Sequence, residues 1–142
     1  MIQRLSLPAA LLSQIEDETR AAYPRECCGL LVGERDGDSV RVFLAYPALN
    51  VAERNDRFEI DPQTQFTLHR ALRDTGRKIV GCYHSHPNGR PEPSPRDMAG
   101  AGEAGFIWLI AAFQACGACK IAGFVFNGRE FDPLAIAELL TA

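Results

Sequence analysis

The sequence lacks the features that mark membrane, nucleic-acid-binding or secreted proteins. None of its apolar runs approaches the roughly 18–20 residues needed to span a bilayer. Residues 1–10 have no basic start followed by an apolar stretch and a cleavage site. Acidic residues (18) slightly outnumber basic ones (15), and the resulting net charge of −3 gives no electrostatic case for nucleic acid. We therefore expect a cytoplasmic protein that binds neither membrane nor nucleic acid.

Cysteines are few and odd in number, with five in the chain. Without a secretory signal we expect them to stay reduced. Cys28 and Cys82 fall in apolar segments and are predicted to be packing residues. Cys116 and Cys119 have the spacing of a redox or metal-binding pair, but a structural zinc would need a second such pair, which the sequence lacks. A redox or metal role for this pair stays open.

Length and composition predict one compact domain over residues 1–142. The chain is 46% hydrophobic and 23% charged, without repeats or a linker. Its patterns predict an α/β fold, a mixed β-sheet flanked by helices. The predicted strands cover 27–32, 39–46, 78–83, 106–113 and 121–127. The predicted helices cover 8–22, 62–76 with Leu68, Ala71 and Leu72 inward, a segment from Pro95, and a last segment that Asp132-Pro133 caps and that carries Ile136, Leu139 and Leu140.

The most informative segment is His84-Ser85-His86-Pro87, which follows the apolar run 78–83. Two of the three histidines in the chain lie here. At positions i and i+2 of a strand they point to one face, about 6.5–7 Å apart along the chain. Both ring nitrogens can then bind one zinc ion at about 2.0–2.1 Å. A lone H-x-H is weak evidence for metal, so the flanking residues matter. His69, the third histidine, is interpreted as a helix-surface residue.

A carboxylate follows at the start of the next predicted helix. Ser94 is the expected capping residue and Pro95 the first helical residue. Asp97 is then in the first turn, near the positive end of the helix dipole, which favours its ionised form. His84, His86 and Asp97 would make three zinc ligands and leave one coordination position open. An open position is typical of catalytic zinc sites rather than structural ones.

Together these residues resemble the JAMM, or MPN-plus, metallopeptidases. That family has an upstream glutamate, then H-S/T-H-P, six residues, a serine, two residues and an aspartate. The chain matches the pattern without a gap. The segment 24–33, which contains Glu26-Cys27-Cys28-Gly29, and the segment 57–62 resemble the small bacterial branch of the family.

The resemblance implies a zinc peptidase or isopeptidase with a sandwich fold related to the cytidine deaminases and one zinc ion per chain. It implies His84, His86 and Asp97 as metal ligands, Glu26 as general acid/base and Ser94 as oxyanion donor. Small bacterial members resemble enzymes that act at the C-terminal glycine tail of ubiquitin-like sulfur carriers, for example by releasing an attached cysteine. The implied partner is therefore such a tail, which could add to a sheet edge as an extended strand.

Insertion length also favours a tail-processing role. Only about 20 residues separate His86 from Phe106. This leaves no room for the long insertions that select linkages in the eukaryotic deubiquitinases.

Two of the implied roles have simpler structural explanations. Ser94 before Pro95 is explained as a helix cap, although a cap oxygen that accepts an N–H keeps its own proton to donate. Glu26 could be an exposed residue at a strand end. We favour the acid/base role because water activated by zinc still needs a carboxylate to take its proton.

Other functions make different demands on the sequence. A non-catalytic binding scaffold of this fold would lose the metal ligands, which this chain keeps. A zinc deaminase would need a cysteine pair and an H-x-E motif. An amidohydrolase barrel needs about 250 residues. The carrier, the released group and the oligomeric state do not follow from the sequence.

Overall fold

The computed structural model describes residues 1–54, 57–114 and 117–139, which form an eight-stranded mixed sheet with three helices. This confirms the predicted α/β class. The strands are β1 Arg4–Pro8, β2 Cys28–Asp36, β3 Ser39–Ala48, β4 Lys78–His86, β5 Ile107–Phe113, β6 Cys119–Phe126, β7 Phe131–Leu134 and β8 Ile136–Leu139. The helices are α1 Ala9–Ala22, α2 Pro62–Leu72 and α3 Pro95–Ala99.

The sheet has the strand order β7-β6-β5-β4-β2-β3-β1-β8. Strand β4 lies between β2, which is antiparallel to it, and β5, which is parallel. The carboxyl ends of β4 and β5 and the amino end of β2 therefore meet at one edge of the sheet. The predicted histidine ligands lie at the end of β4, and the predicted general acid/base lies just before β2.

Each face of the sheet buries its own apolar cluster. On one face α1 packs with Leu11 and Ile15 against a cluster that includes Leu109. On the other face Leu68 of α2 joins a cluster with Ile110. A fully buried side chain such as Ile15 contributes about 1.5–3 kcal/mol to stability. Among the described residues, no helix is long and apolar enough to cross a membrane.

The predicted C-terminal helix is wrong. Residues 131–134 and 136–139 form β7 and β8 instead, and Leu140 lies outside the described residues. Strand β7 pairs with β6, and β8 pairs in parallel with β1. The C-terminal segment therefore supplies hydrogen bonds to the two strands that would otherwise be the edges of the sheet, although its apolar residues have helix-like spacing. Only Ala135 separates the two strands, and the sheet therefore curls around the α1 face.

Helix α2 and strand β1 also differ from the prediction. Helix α2 ends at Leu72 rather than Gly76, since the hydroxyl of Thr75 donates to the Leu72 carbonyl at 2.6 Å and Asp74 has a positive φ of 66°. Ala71 is exposed rather than inward. Strand β1 was not predicted, although Leu5 and Leu7 alternate with less buried residues as a half-buried strand requires.

We expect Gly81→Ala to destabilise the protein by about 1–3 kcal/mol, the usual cost of overpacking. A Cβ on Gly81 would lie 2.2 Å from the carbonyl oxygen of Ile107, so β4 and β5 could not keep their separation. Gly100→Ala is the matched control, because its nearest neighbour would be the Arg96 oxygen at 3.7 Å. Urea unfolding of both variants measures the difference, and equal midpoints would contradict this account of Gly81.

Candidate metal centre

The two histidines of the H-S-H segment lie at the end of β4 and point to the same face, as the strand period predicts. His84 is fully buried and His86 is 6% exposed. Their Nε2 atoms lie 3.0 Å apart. Pro87 follows directly after the strand ends, so both rings stand at the rim of the sheet.

Asp97 faces both rings from the first turn of α3. Its Oδ1 lies 3.1 Å from Nε2 of His84, and its Oδ2 lies 3.1 Å from Nε2 of His86. A capping box holds the carboxylate: the backbone N–H of Ser94 donates to Oδ2 at 2.9 Å, and the backbone N–H of Asp97 donates to Oγ of Ser94 at 3.0 Å. The predicted cap is confirmed, and it orients Asp97 toward the histidines.

The Nδ1 atoms of the two rings have different surroundings. Nδ1 of His86 donates to the carbonyl oxygen of Arg90 at 2.9 Å. Nδ1 of His84 has no hydrogen-bond partner within the described parts of the chain. Its ring instead stacks on Phe58, with centroids 4.2 Å apart and an interplanar angle of 20°, and meets Trp108 edge-on at 5.6 Å.

Glu26 reaches the same place from the amino end of β2. It is 5% exposed, and it forms with His84 and His86 a group whose ligand-type atoms all lie within 4.8 Å of one another. The alternative of an exposed strand-end glutamate is therefore excluded. The Asp97 oxygens lie 3.1 Å from the ring nitrogens, closer than 4.8 Å. Two carboxylates therefore flank the histidine pair.

Burial and hydrogen bonding set the charges at this centre. Burial acts to raise the pKa of Asp97, but the hydrogen bonds with His84 and His86 hold it well below its ordinary value. Burial lowers the pKa of His84. For His86 burial acts in the same direction, but the hydrogen bonds with Asp97 and the Arg90 carbonyl raise its pKa overall. Asp97 is therefore ionised at neutral pH, and His84 is neutral.

These residues fit a zinc ion. A carbonyl oxygen can only accept, so Nδ1 of His86 donates its hydrogen bond to Arg90 and Nε2 is the ring atom directed at the centre. Nε2 of His84 and the ionised Asp97 carboxylate face the same point, and the negative charge of the carboxylate favours a cation there. Two imidazole nitrogens and a carboxylate oxygen are a common zinc ligand set.

A small cavity opens beside the histidines. Its volume is about 190 Å³, and its lining includes Glu26, Phe58, Ser94, Asp97 and Trp108. The cavity thus brings together the residues to which the sequence assigned proton transfer and oxyanion stabilisation. Their chemical roles stay predictions at this point.

Several predicted features lie outside the centre. His69 is exposed on α2, as predicted. Burial raises the pKa of the Cys28 thiol to about 12 and that of Cys82 well above its ordinary value, which suits packing residues. Cys116 lies outside the described residues, and Cys119 is a partly buried free thiol.

Three residues around the centre were not predicted from the sequence: Phe58, Trp108 and Asn50. Phe58 belongs to the segment 57–62, whose resemblance to the bacterial branch indicated importance without a role. Asn50 donates to the carbonyl of Glu26 at 2.8 Å, a contact that no local pattern indicates.

Comparison with known families agrees with this geometry. The profile of the family described as prokaryotic homologs of the JAB domain matches residues 8–120. This match spans most of the chain, and the chain therefore belongs to that family, the prokaryotic branch of the JAMM/MPN proteins. The predicted resemblance is confirmed.

Individual relatives share most of its length. A desampylase from Haloferax volcanii is 34% identical over 139 residues, which cover 94% of this chain and 96% of the relative. A probable TtuB-protein conjugate cleaving protease from Thermus thermophilus is 30% identical over 94 residues, or 66% of this chain and 61% of the relative. The solution structure of a Desulfitobacterium hafniense protein superposes with a TM-score of 0.82 at 29% identity, covering 96% of this chain and 94% of that one.

We expect Asp97→Asn to lose zinc and Glu26→Gln to retain it. Both changes keep side-chain size, and Asp97 places one oxygen 3.1 Å from Nε2 of each histidine, as expected of a ligand to a shared ion. His84→Ala and His86→Ala should lose zinc as well. Zinc content after dialysis against nanomolar free metal measures this. Retention by the Asp97 variant together with loss by the Glu26 variant would exchange the two roles.

Proposed function

We propose that this chain is a zinc metallopeptidase that hydrolyses a peptide or isopeptide bond at the C-terminal tail of a ubiquitin-like sulfur-carrier protein, with residues 1–142 acting as one catalytic domain. The observation that carries the proposal is the convergence of His84, His86 and Asp97 beside Glu26 and Ser94. The names of the Haloferax and Thermus relatives support a ubiquitin-like conjugate as substrate.

Zinc would be held by His84, His86 and Asp97. When bound, it supplies Lewis-acid chemistry, polarising a carbonyl and lowering the pKa of water from about 15.7 toward 7. The chain orients these ligands through the Asp97 capping box and the His86 bond to the Arg90 carbonyl. Such supporting contacts typically improve metal affinity or activity 10- to 100-fold.

Glu26 would move the proton. Its carboxylate accepts the proton of the attacking water and then passes it to the leaving amine, which departs as a neutral group. The residue is 5% exposed, so little bulk water surrounds it. Its position supports this role, because a carboxylate oxygen lies within 4.8 Å of a ring nitrogen of each histidine.

Ser94 would stabilise the charge that develops on the scissile carbonyl oxygen. Its Oγ already accepts the Asp97 N–H at 3.0 Å, which fixes the oxygen and leaves the hydroxyl proton to donate. Helix capping and oxyanion stabilisation thus use different atoms of one hydroxyl group.

The cavity supports an extended tail as substrate rather than a free small molecule. Its volume of about 190 Å³ is below the roughly 300–1,000 Å³ of small-molecule sites. A glycine-rich tail needs little lateral space. Among the described residues, the ligand-type atoms grouped here belong to histidine and glutamate side chains, without the cysteine pair of a zinc deaminase.

The decisive experiment incubates the zinc-loaded chain with a ubiquitin-like carrier extended beyond its terminal glycines, and with the same carrier joined to a lysine side chain. Intact-mass measurement identifies the bond cut, and a chelated sample is the control. Stoichiometric zinc without cleavage of either substrate would favour a binding scaffold.

Glu26→Gln should lower single-turnover cleavage by roughly 10²–10⁴, the usual contribution of a positioned acid/base. Zinc content and fold should persist, because the amide keeps the size of the side chain. Glu130→Gln is the matched control, an exposed glutamate in the β6–β7 turn. A rate close to that of the unmodified chain would remove Glu26 from the mechanism.

Ser94→Ala should keep zinc, lose about 3 kcal/mol of transition-state stabilisation and lose about 1 kcal/mol of stability as a cap. Asp61→Ala is the matched cap control, since the Asp61 side chain accepts the Gln63 N–H at 3.1 Å at the start of α2. The control should lose stability alone. If Ser94→Ala shows the same pattern as the control, Ser94 has a structural role only.

A further inference from the structure

Two side chains hold the peptide unit that joins Glu26 to Cys27. Nδ2 of Asn50 donates to the Glu26 carbonyl oxygen at 2.8 Å. Oγ of Ser85 accepts from the Cys27 N–H at 2.8 Å. In a regular antiparallel ladder the partners of such a unit are main-chain groups. Here side chains determine the plane of the peptide that immediately follows the Glu26 Cα.

Ser85 occupies the position between the two histidines. Because successive strand residues alternate, its side chain points to the face opposite His84 and His86, and it is 2% exposed. Its own N–H donates to the Cys27 carbonyl at 3.1 Å. Ser85 thus bonds Cys27 through both its main chain and its side chain, where β2 begins to separate from β4.

Asn50 uses its full hydrogen-bonding capacity. Besides the Glu26 carbonyl, Nδ2 donates to the Arg57 carbonyl at 3.2 Å. Oδ1 accepts the backbone N–H groups of Ala52 and Glu59, each at 3.0 Å. An asparagine offers two donors and two acceptor sites, and all four are occupied. The side chain therefore ties Glu26 to the 50–60 segment that carries Phe58.

We propose that Asn50 and Ser85 are positioning residues that aim the Glu26 carboxylate at the reacting centre. The inference rests on the proposed function, in which Glu26 transfers the proton. Neither residue supplies an atom to the metal, so each acts through Glu26. Rotation of the Glu26–Cys27 peptide would redirect the carboxylate, and a misplacement of about 1 Å can lower a rate about 10²-fold.

The test compares Ser85→Ala and Asn50→Ala with the control Asn127→Ala. Asn127 also organises a turn, with Oδ1 accepting the N–H groups of Arg129 and Glu130 at 2.8 and 2.9 Å, but it lies beyond the far end of β6. We expect roughly 10- to 100-fold slower single turnover for the first two variants. Their zinc affinity, measured by competition with a chromophoric chelator, should stay close to that of the unmodified chain. Ser85→Thr keeps the hydroxyl and should restore most of the rate.

Each change is then repeated in the Glu26→Gln background. If Asn50 and Ser85 act through Glu26, their replacement should slow that variant no further. A rate loss of the same factor with and without Glu26 would overturn the proposal. So would a loss no larger than that of Asn127→Ala.

Amide exchange provides a readout that does not depend on substrate. In Ser85→Ala the exchange rate of the Cys27 N–H, divided by that of the Leu31 N–H in β2, should rise at least about tenfold. In Ser85→Thr this ratio should stay close to that of the unmodified chain. Equal changes at both amides would show that Ser85 does not hold this peptide. If the unmodified chain cleaves no carrier, the proposed function fails, while exchange still decides whether the peptide is held.

Discussion

Cys28 lies opposite His84 in the antiparallel ladder between β2 and β4, and the rest of the site depends on this register. It brings Glu26 beside a histidine pair that is nearly sixty residues away in sequence. A slip of one residue would turn every side chain of β2 to the other face of the sheet. The buried clusters on both faces prevent such a slip, since each face of β2 contributes apolar residues to a different cluster. Core packing therefore determines the geometry of the candidate site.

At the other side of the histidines, one helix start serves two purposes. The Asp97 carboxylate closes the capping box with Ser94 and faces both rings. Helix α3 extends over only five residues and has Gly100 as its C-cap, in keeping with the glycines in this segment. Its stability comes from the cap rather than from length, and the same hydrogen bonds orient the carboxylate. The same hydrogen bonds thus determine both the start of the helix and the orientation of the Asp97 carboxylate.

Much of the site could be read from short segments. The H-S-H spacing placed both histidines on one face, and Ser94-Pro95 located the cap that orients Asp97. Larger elements were less predictable where packing overrode local pattern. Ile136 and Leu139 have the spacing of a helical face. This part of the chain forms strands instead, because it hydrogen-bonds to the otherwise unpaired edges of β1 and β6. Ala71 follows the apolar period of α2, yet the helix meets the sheet mainly through Leu68.

Local sequence was enough to predict the features that depend on neighbours within a few residues: the alternation in β4, the start of α3, the residue types at the candidate site and the family. Which distant groups complete the site follows only from the folded chain. Phe58 stacks on His84 across 26 positions, and Asn50 bonds the Glu26 carbonyl across 24. Such contacts leave no periodic trace, because their partners are set by strand register and loop path rather than by spacing along the chain. The aim of Glu26 is therefore a property of the folded sheet.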